Sequence, residues 1–244
     1  MLQLKSVQKD LYKTDKEDLP IVLAEIYKQS LFATAQHLLG FKDVNENTHA
    51  DIVLALESST TRKLICVPRG CLKSTIACVA YPIWLLINNP NLRILIDSEL
   101  YTNSKTFLRE IKGNLERQEL TELFGTFKQE PWNDSEIIIK QRTKILKEAS
   151  IVCSGIGATK IGQHYDYIIM DDMNGANNSQ TPEACSKVIE HYRGNISILE
   201  PTGTLVIIGT RWSELDLIGH IIRNELGLDH NPTTGQHQVQ GLIS

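Results

Sequence analysis

The sequence predicts an α/β fold: a mainly parallel central sheet flanked by helices, with a helical appendage at the N-terminus. Three observations carry that prediction. Short, mostly apolar runs at 63–67, 93–97, 167–170 and 204–208 read as buried strands. Helical patterns separate most of them, which is the alternation that a parallel sheet needs for its crossovers. Two of the runs end in polar turns, Asp171-Asp172 and Gly209-Thr210, at the strand end where ligands bind in open parallel sheets.

Composition bounds the remaining possibilities. The 244 residues suffice for one large domain. With 41% hydrophobic and 22% charged residues, the chain has the profile of an ordinary globular protein. A formal charge of -4 excludes the global basic footprint of a simple DNA-binding domain, so any contact with nucleic acid must be local. Cys66, Cys71, Cys78, Cys153 and Cys185 have no spacing that suits zinc and read as reduced thiols of an intracellular protein. The N-terminus lacks a secretory pattern. The longest apolar stretch, 76–87, is interrupted by Pro82 and is too short to span a bilayer, so no membrane association is expected and a cytoplasmic location is.

The elements are expected in this order. Residues 1–58 form the helical appendage, with Ile21, Ile26, Leu31 and Leu38 on one helical stretch after Pro20 and a further helix at 51–58. Residues 59–228 form the core. Its first strand, 63–67, leads through a turn at 68–72 into a helix at 73–86, and its second, 93–97, leads into a helix at 102–116. Extended pieces at 136–140, 144–147 and 150–153 suggest antiparallel strands or a hairpin beside the sheet. A helix at 183–192 links the strands at 167–170 and 204–208, and the last helical pattern is 214–225. Residues 229–244 read as a polar tail, or the start of a linker to a further domain. Beyond Glu225 the only acid is Asp229, so no nuclease activity is expected.

The segment Val67-Pro68-Arg69-Gly70-Cys71-Leu72-Lys73-Ser74-Thr75 places a Lys-Ser pair where a loop leaving a buried strand enters a helix. Free backbone N–H groups and the positive end of the macrodipole attract phosphate there. Gly70, Cys71 and Leu72 would cradle the phosphates through their backbone, Lys73 would reach the β- and γ-phosphates, and Ser74 would hold Mg²⁺. The pattern G-x-x-x-x-G-K-[ST] is met only in part, because Val67 and Leu72 stand at its two glycine positions. Surface charges at an ordinary helix start are the bland alternative.

A second acidic segment tips the balance. Tyr167-Ile168-Ile169-Met170 ends in Asp171-Asp172, where an NTPase needs its carboxylates. Asp171 would hold Mg²⁺ and Asp172 would orient and deprotonate the attacking water. A plain helix cap is the competing reading. Thr210, at the end of the next strand, is a candidate sensor of the γ-phosphate.

Three segments together resemble the ATPase of phage large terminases: Pro68-Arg69-Gly70 with Lys73-Ser74-Thr75; Gly162, His164 and Asp166 leading to Asp171-Asp172; and Gly209-Thr210-Arg211-Trp212 followed by Asp216-Leu217-Ile218-Gly219. The resemblance covers about residues 60 to 225. It implies an additional-strand P-loop fold, with ATP as substrate and Mg²⁺ as cofactor. Arg69 would stabilise phosphate charge, and Gly209-Thr210 would couple hydrolysis to movement. Double-stranded DNA, a portal protein, a small terminase subunit and a homo-oligomeric ring on the procapsid are the implied partners, and the cytoplasm of an infected bacterium is the implied location. Asp172 departs from the family, which often has Glu there. An arginine finger from a neighbouring subunit is also implied, with Arg109, Arg142 and Arg193 as candidates.

Other residues have plainer readings. His164 and His191 read as hydrogen-bonded or solvated, Trp84 as core, and Gln36 only as a weak candidate for reading adenine. Lys105, Arg109, Lys112 and Arg117 form a helical face that is solvated or meets DNA phosphates. Two other functions fit the same motifs: a helicase-like motor, and a nucleotide-binding module without turnover.

Overall fold

The computed structural model describes residues 15, 17–158 and 162–226. Seven strands form one sheet: β1 (Arg62–Cys66), β2 (Ile94–Ser98), β3 (Lys128–Trp132), β4 (Glu136–Ile139), β5 (Ile151–Gly155), β6 (Tyr165–Asp171) and β7 (Leu199–Gly209). Their spatial order is β1-β7-β6-β2-β5-β4-β3. The five strands from β1 to β5 in that order are parallel, and β4 and β3 extend the sheet antiparallel. The fold is thus the mainly parallel α/β arrangement expected. β7 separates β1, which feeds the Lys-Ser turn, from β6, which carries the acid pair, and so is the additional strand of that class.

Each strand divides its side chains between two apolar layers, as the pleat requires. Ile65, Ile96, Ile169, Val206 and Ile208 face one layer, together with the N-terminal helices and the helix that follows Ser74. Leu64, Leu95, Ile168, Met170, Leu205 and Ile207 face the other, where Val188, Tyr192 and Ile221 cover them. At about 25 cal/mol per Å² of apolar surface removed from water, these two layers are the main stabilising element of the fold.

The single N-terminal helical stretch expected is broken at Ser30. Helix α1 (Leu19–Gln29) stops there, and Ser30, in extended conformation, caps a short turn α2 (Leu31–Ala33) by accepting the Ala33 N–H before a π-type segment, Thr34–Leu38. Helix α3 (Glu46–Glu57) starts earlier than the expected position 51, because Asn45 caps it through the Thr48 N–H. Buried Lys63 of β1 donates to the Leu56 carbonyl and, at 2.8 Å, to that of Ser58, tying the end of α3 to the sheet. Burial pushes this ammonium down to about 8, with Glu57 opposing the shift.

After Ser74 the chain runs as a π-type segment (Thr75–Ala80) and then α4 (Tyr81–Asn88). Pro82 has no N–H to return to the Cys78 carbonyl. The wider hydrogen-bonding pattern just before it, with Tyr81 N–H on the Ile76 carbonyl, lets the helix continue through the proline.

Helices α5 (Tyr101–Leu115) and α6 (Gln118–Phe124) follow β2, α7 (Pro182–Ser197) links β6 to β7, and α8 (Leu217–Asn224) follows β7. The extended piece expected at 144–147 is not a strand. It belongs to the loop between β4 and β5, with Ile145 fully exposed. The hairpin partner of β4 is instead β3. The tail expected at 229–244 and the first 14 residues of the appendage lie outside the described residues.

Candidate nucleotide site

The carboxyl ends of β1, β7 and β6 bring the expected site residues together. Val67 N–H still bonds to the Gly209 carbonyl at 3.2 Å, and the chain then turns out through Pro68, Arg69 and Gly70, all exposed, before Cys71 and Leu72 lead into the helix. Gly70 has φ +84° and Leu72 φ +47°. Leu72 stands where the common phosphate loop has glycine, yet its backbone adopts the left-handed conformation that glycine favours, at a cost of about 1–2 kcal/mol. The loop keeps the required shape without the residue that makes it easy.

Lys73 is buried, with only its tip reaching the edge, and its Nζ lies 3.4 Å from Asp172 Oδ2. The next residue, Ser74, donates from Oγ to Asp171 Oδ1 at 2.7 Å. Thr75 starts the π-type segment and does not bond to the acids.

Asp171, the last residue of β6, is 5% exposed. Burial pushes its carboxyl up to about 7; the Ser74 hydrogen bond opposes this, the Asp172 charge adds to it, and Lys73 opposes it. An aspartate buried beside a neutral hydroxyl is held ready for a cation. Ser74 and Asp171 are hard oxygen donors already in contact, and Mg²⁺ commonly binds through one or two carboxylates plus substrate phosphates. Among the described residues, no group of three His, Cys, Asp or Glu could hold a metal ion by itself.

Asp172 turns out of the strand at φ +40°. Its Oδ2 faces Lys73, and its Oδ1 accepts the Thr210 N–H at 3.0 Å. A Cβ at Gly209 would lie 3.2 Å from Oδ1, so glycine gives this carboxylate its room. Expected to orient the attacking water, Asp172 has both oxygens engaged within the chain. Thr210 Oγ1 contacts the Val67 carbonyl at 3.3 Å, so the β7 turn touches both the acid and the phosphate loop.

Beyond Thr210, the Arg69 guanidinium lies over the Trp212 ring, 4.4 Å from its centre. Asp216 is fully buried; it accepts the Trp212 and Ser213 N–H groups and caps α8 through the Gly219 N–H at 2.7 Å. The segment from Asp216 to Gly219 is therefore a structural turn that fixes where Trp212 and Thr210 emerge.

Several other candidates lie elsewhere. Gln36 donates to the Val44 carbonyl at 2.6 Å, within the appendage. His191 Nε2 contacts Asp97 Oδ2 at 2.6 Å, and the His164 N–H donates to Glu148. Trp84 is half-buried against the core and donates to the Lys28 carbonyl. Arg142 holds the Glu148 and Leu92 carbonyls and burial lowers its pKa, so it is occupied inside its own chain, whereas Arg109 and Arg193 are exposed. On α5, Lys112 is drawn to the carbonyls of Trp132 and Asn133; Arg117, expected on the same helical face, lies beyond α5 as the residue before α6 and reaches the Leu39 carbonyl.

Sequence reading missed Glu99, the residue just past β2. It is half-buried beside the acid pair, and both burial and the Asp172 charge raise its carboxyl above the usual range. The signal was an acid following an apolar strand, as in β6.

Comparison with solved structures bears on the fold that carries this edge. The large terminase of bacteriophage HK97 superposes with a TM-score of 0.53 at 12% identity, over 82% of this chain and 41% of that one. The fold is shared with that part of the HK97 large terminase. An ATPase-domain variant of the Thermus phage P74-26 large terminase also aligns, with a TM-score of 0.44 at 16% identity over 73% of this chain and 69% of that one. The match to the HK97 protein spans less than half of its length. No family profile and no curated protein sequence matches the chain. No helix among the described residues is long and apolar enough to cross a membrane.

Proposed function

We propose that this chain is the ATPase motor of a viral large terminase, coupling Mg²⁺-dependent ATP hydrolysis to translocation of double-stranded DNA into a procapsid. The observation that carries the reading is the meeting of Lys73, Ser74, Asp171, Asp172 and Thr210 at one edge of the sheet, from segments up to 137 residues apart (210 − 73) in the sequence. The fold shared with the HK97 protein supports the same class.

In this reading the backbone N–H groups of Gly70, Cys71 and Leu72 cradle the phosphates, and Lys73 leaves Asp172 to meet the β- and γ-phosphates. Ser74 and Asp171 hold Mg²⁺, which, when bound, neutralises phosphate charge in the transition state. Release of Lys73 frees one oxygen of Asp172, whose other oxygen remains on the Thr210 N–H. Asp172 is thereby the link through which occupancy of the phosphate loop reaches the β7 turn. Arg69 moves from the Trp212 ring to phosphate charge. The portal protein and the small terminase subunit are the proposed partners, with Arg109 or Arg193 able to serve a neighbouring subunit in a ring and the host cytoplasm as the place of action.

The test is phosphate release from ATP by the purified chain in Mg²⁺, with and without linear double-stranded DNA. Release that requires Mg²⁺ and rises with DNA supports the motor. Tight nucleotide binding without release would favour a binding module, a reading to which the engaged state of Asp172 lends some weight.

A further inference from the structure

The ATPase reading leaves open which carboxylate handles the attacking water, since the Asp172 backbone turns it toward β7 and one of its oxygens stays on the Thr210 N–H after Lys73 leaves. The neighbour on the other side of β6 is β2, paired in parallel register with Ser98 opposite Asp171. Glu99 is therefore level with Asp172 at the same sheet edge.

Three features distinguish Glu99 from an ordinary surface acid. Its carboxylate lies against the backbone of Gly175, in the turn that follows the acid pair: a Cβ at Gly175 would overlap Oε2 and sit 3.1 Å from Cδ. It forms no hydrogen bond or ion pair with the described residues, although it is half-buried. It lies close enough to Asp172, the residue that approaches Lys73, for that charge to add to burial in raising the Glu99 carboxyl above the usual range. The plain alternative is a carboxylate that only favours the start of α5 through the helix dipole. Against that, no side chain caps α5 at Leu100, and the Glu99 carboxylate lies at Gly175.

We propose that Glu99 is the general base of this site, orienting the lytic water and accepting its proton. Resting on the ATPase reading, the step is balanced as follows. The water oxygen forms a bond to the γ-phosphorus while the bond from that phosphorus to the bridging oxygen of ADP breaks. The water proton passes to Glu99 and from there to the released phosphate, leaving Glu99 ionised for the next turnover. Glu99 has one methylene more than Asp172, which gives it reach across the edge while Asp172 stays with the Thr210 N–H. Gly175 is then a positioning residue, since any side chain there displaces the carboxylate.

The experiment measures ATP turnover and Mg²⁺-ATP affinity for the wild type, Glu99→Gln, Gly175→Ala and Asp172→Asn. General-base catalysis contributes on the order of 10²- to 10⁴-fold. Glu99→Gln is therefore expected to lower turnover by about 100-fold or more while affinity stays within about threefold. Gly175→Ala is expected to lower turnover in the same sense but less, again with affinity retained, a split that a merely structural change would not produce. Turnover of Glu99→Gln within about threefold of the wild type, with Asp172→Asn inactive, would overturn the proposal and return the role to Asp172. Absence of phosphate release from the wild type would overturn the ATPase reading itself, and this proposal with it.

Discussion

Strand β6 carries an aspartate at each end, and the two are treated in opposite ways. At its amino end, Asp166 takes the Arg93 backbone N–H at 2.8 Å, Nε at 3.0 Å and Nη2 at 2.9 Å, and the same guanidinium reaches Glu200 at 2.8 Å and Glu148 at 3.6 Å. These partners, the Asp166 hydrogen bond first, hold the Arg93 pKa up against the opposing effect of burial. At its carboxyl end, Asp171 has a serine hydroxyl and no cation at bonding distance, and its carboxyl is pushed up to about 7 by burial. A charge whose partners are all supplied by the chain is architecture. One buried with a neutral partner is held for something that arrives from outside. Lys73 and Asp172 are intermediate, since their 3.4 Å pair satisfies the loop until phosphate competes for the lysine.

Substitutions at the two ends should separate function from stability. Asp171→Asn is expected to lower Mg²⁺-dependent turnover by on the order of 100-fold or more, about 3 kcal/mol of transition-state stabilisation. The variant should unfold no earlier than the wild type, because the amide removes a buried charge and still accepts from Ser74; turnover assays and thermal melts check the two halves.

Arg93→Ala should do the reverse. Leaving Asp166, Glu148 and Glu200 together without their cation is expected to cost about 3–5 kcal/mol of stability, read by urea denaturation, while the remaining folded protein binds nucleotide with unchanged affinity.

Leu72→Gly is a smaller effect of opposite sign. Relief of the left-handed backbone should raise stability by roughly 1 kcal/mol, less the apolar contact that Leu72 makes with the core, and calorimetric melting tests it. Smallest is Thr210→Val, which loses only the 3.3 Å contact to Val67. A stability change of about 0.5 kcal/mol is expected, and a larger change in DNA-stimulated turnover than in the basal rate would locate coupling at this turn.

The same contrast explains what could be read from the sequence. The central strands were legible because each is an apolar run, and the Lys73-Ser74 and Asp171-Asp172 pairs because they follow such runs directly. β3 was not, since Lys128–Trp132 contains two charges and a proline and sits at the sheet edge, where little of its surface is buried. The 144–147 piece carries two adjacent apolar residues, Ile145 and Leu146, but pairs with no strand of the sheet. Arg93 read as the start of a strand, because its partners Glu148, Asp166 and Glu200 are assembled only by the crossovers. Glu99 stayed hidden for a related reason: its importance depends on β2 lying beside β6, a register that no local pattern displays. The break at Ser30 was missed because a capping hydroxyl interrupts an otherwise continuous apolar periodicity.

The account stands or falls on the carboxyl edge being where phosphate is bound, and Lys73 is the group that must make that contact. Phosphate release and nucleotide titration on Lys73→Ala, with a melt to confirm folding, test this most directly. The expected result is a folded protein with no detectable turnover and Mg²⁺-ATP binding weakened at least about tenfold, the loss of one charge-assisted contact of about 1.4 kcal/mol or more. A Lys73→Ala variant that hydrolyses ATP at near the wild-type rate would contradict the assignment of the phosphate loop and, with it, the reading of the whole edge.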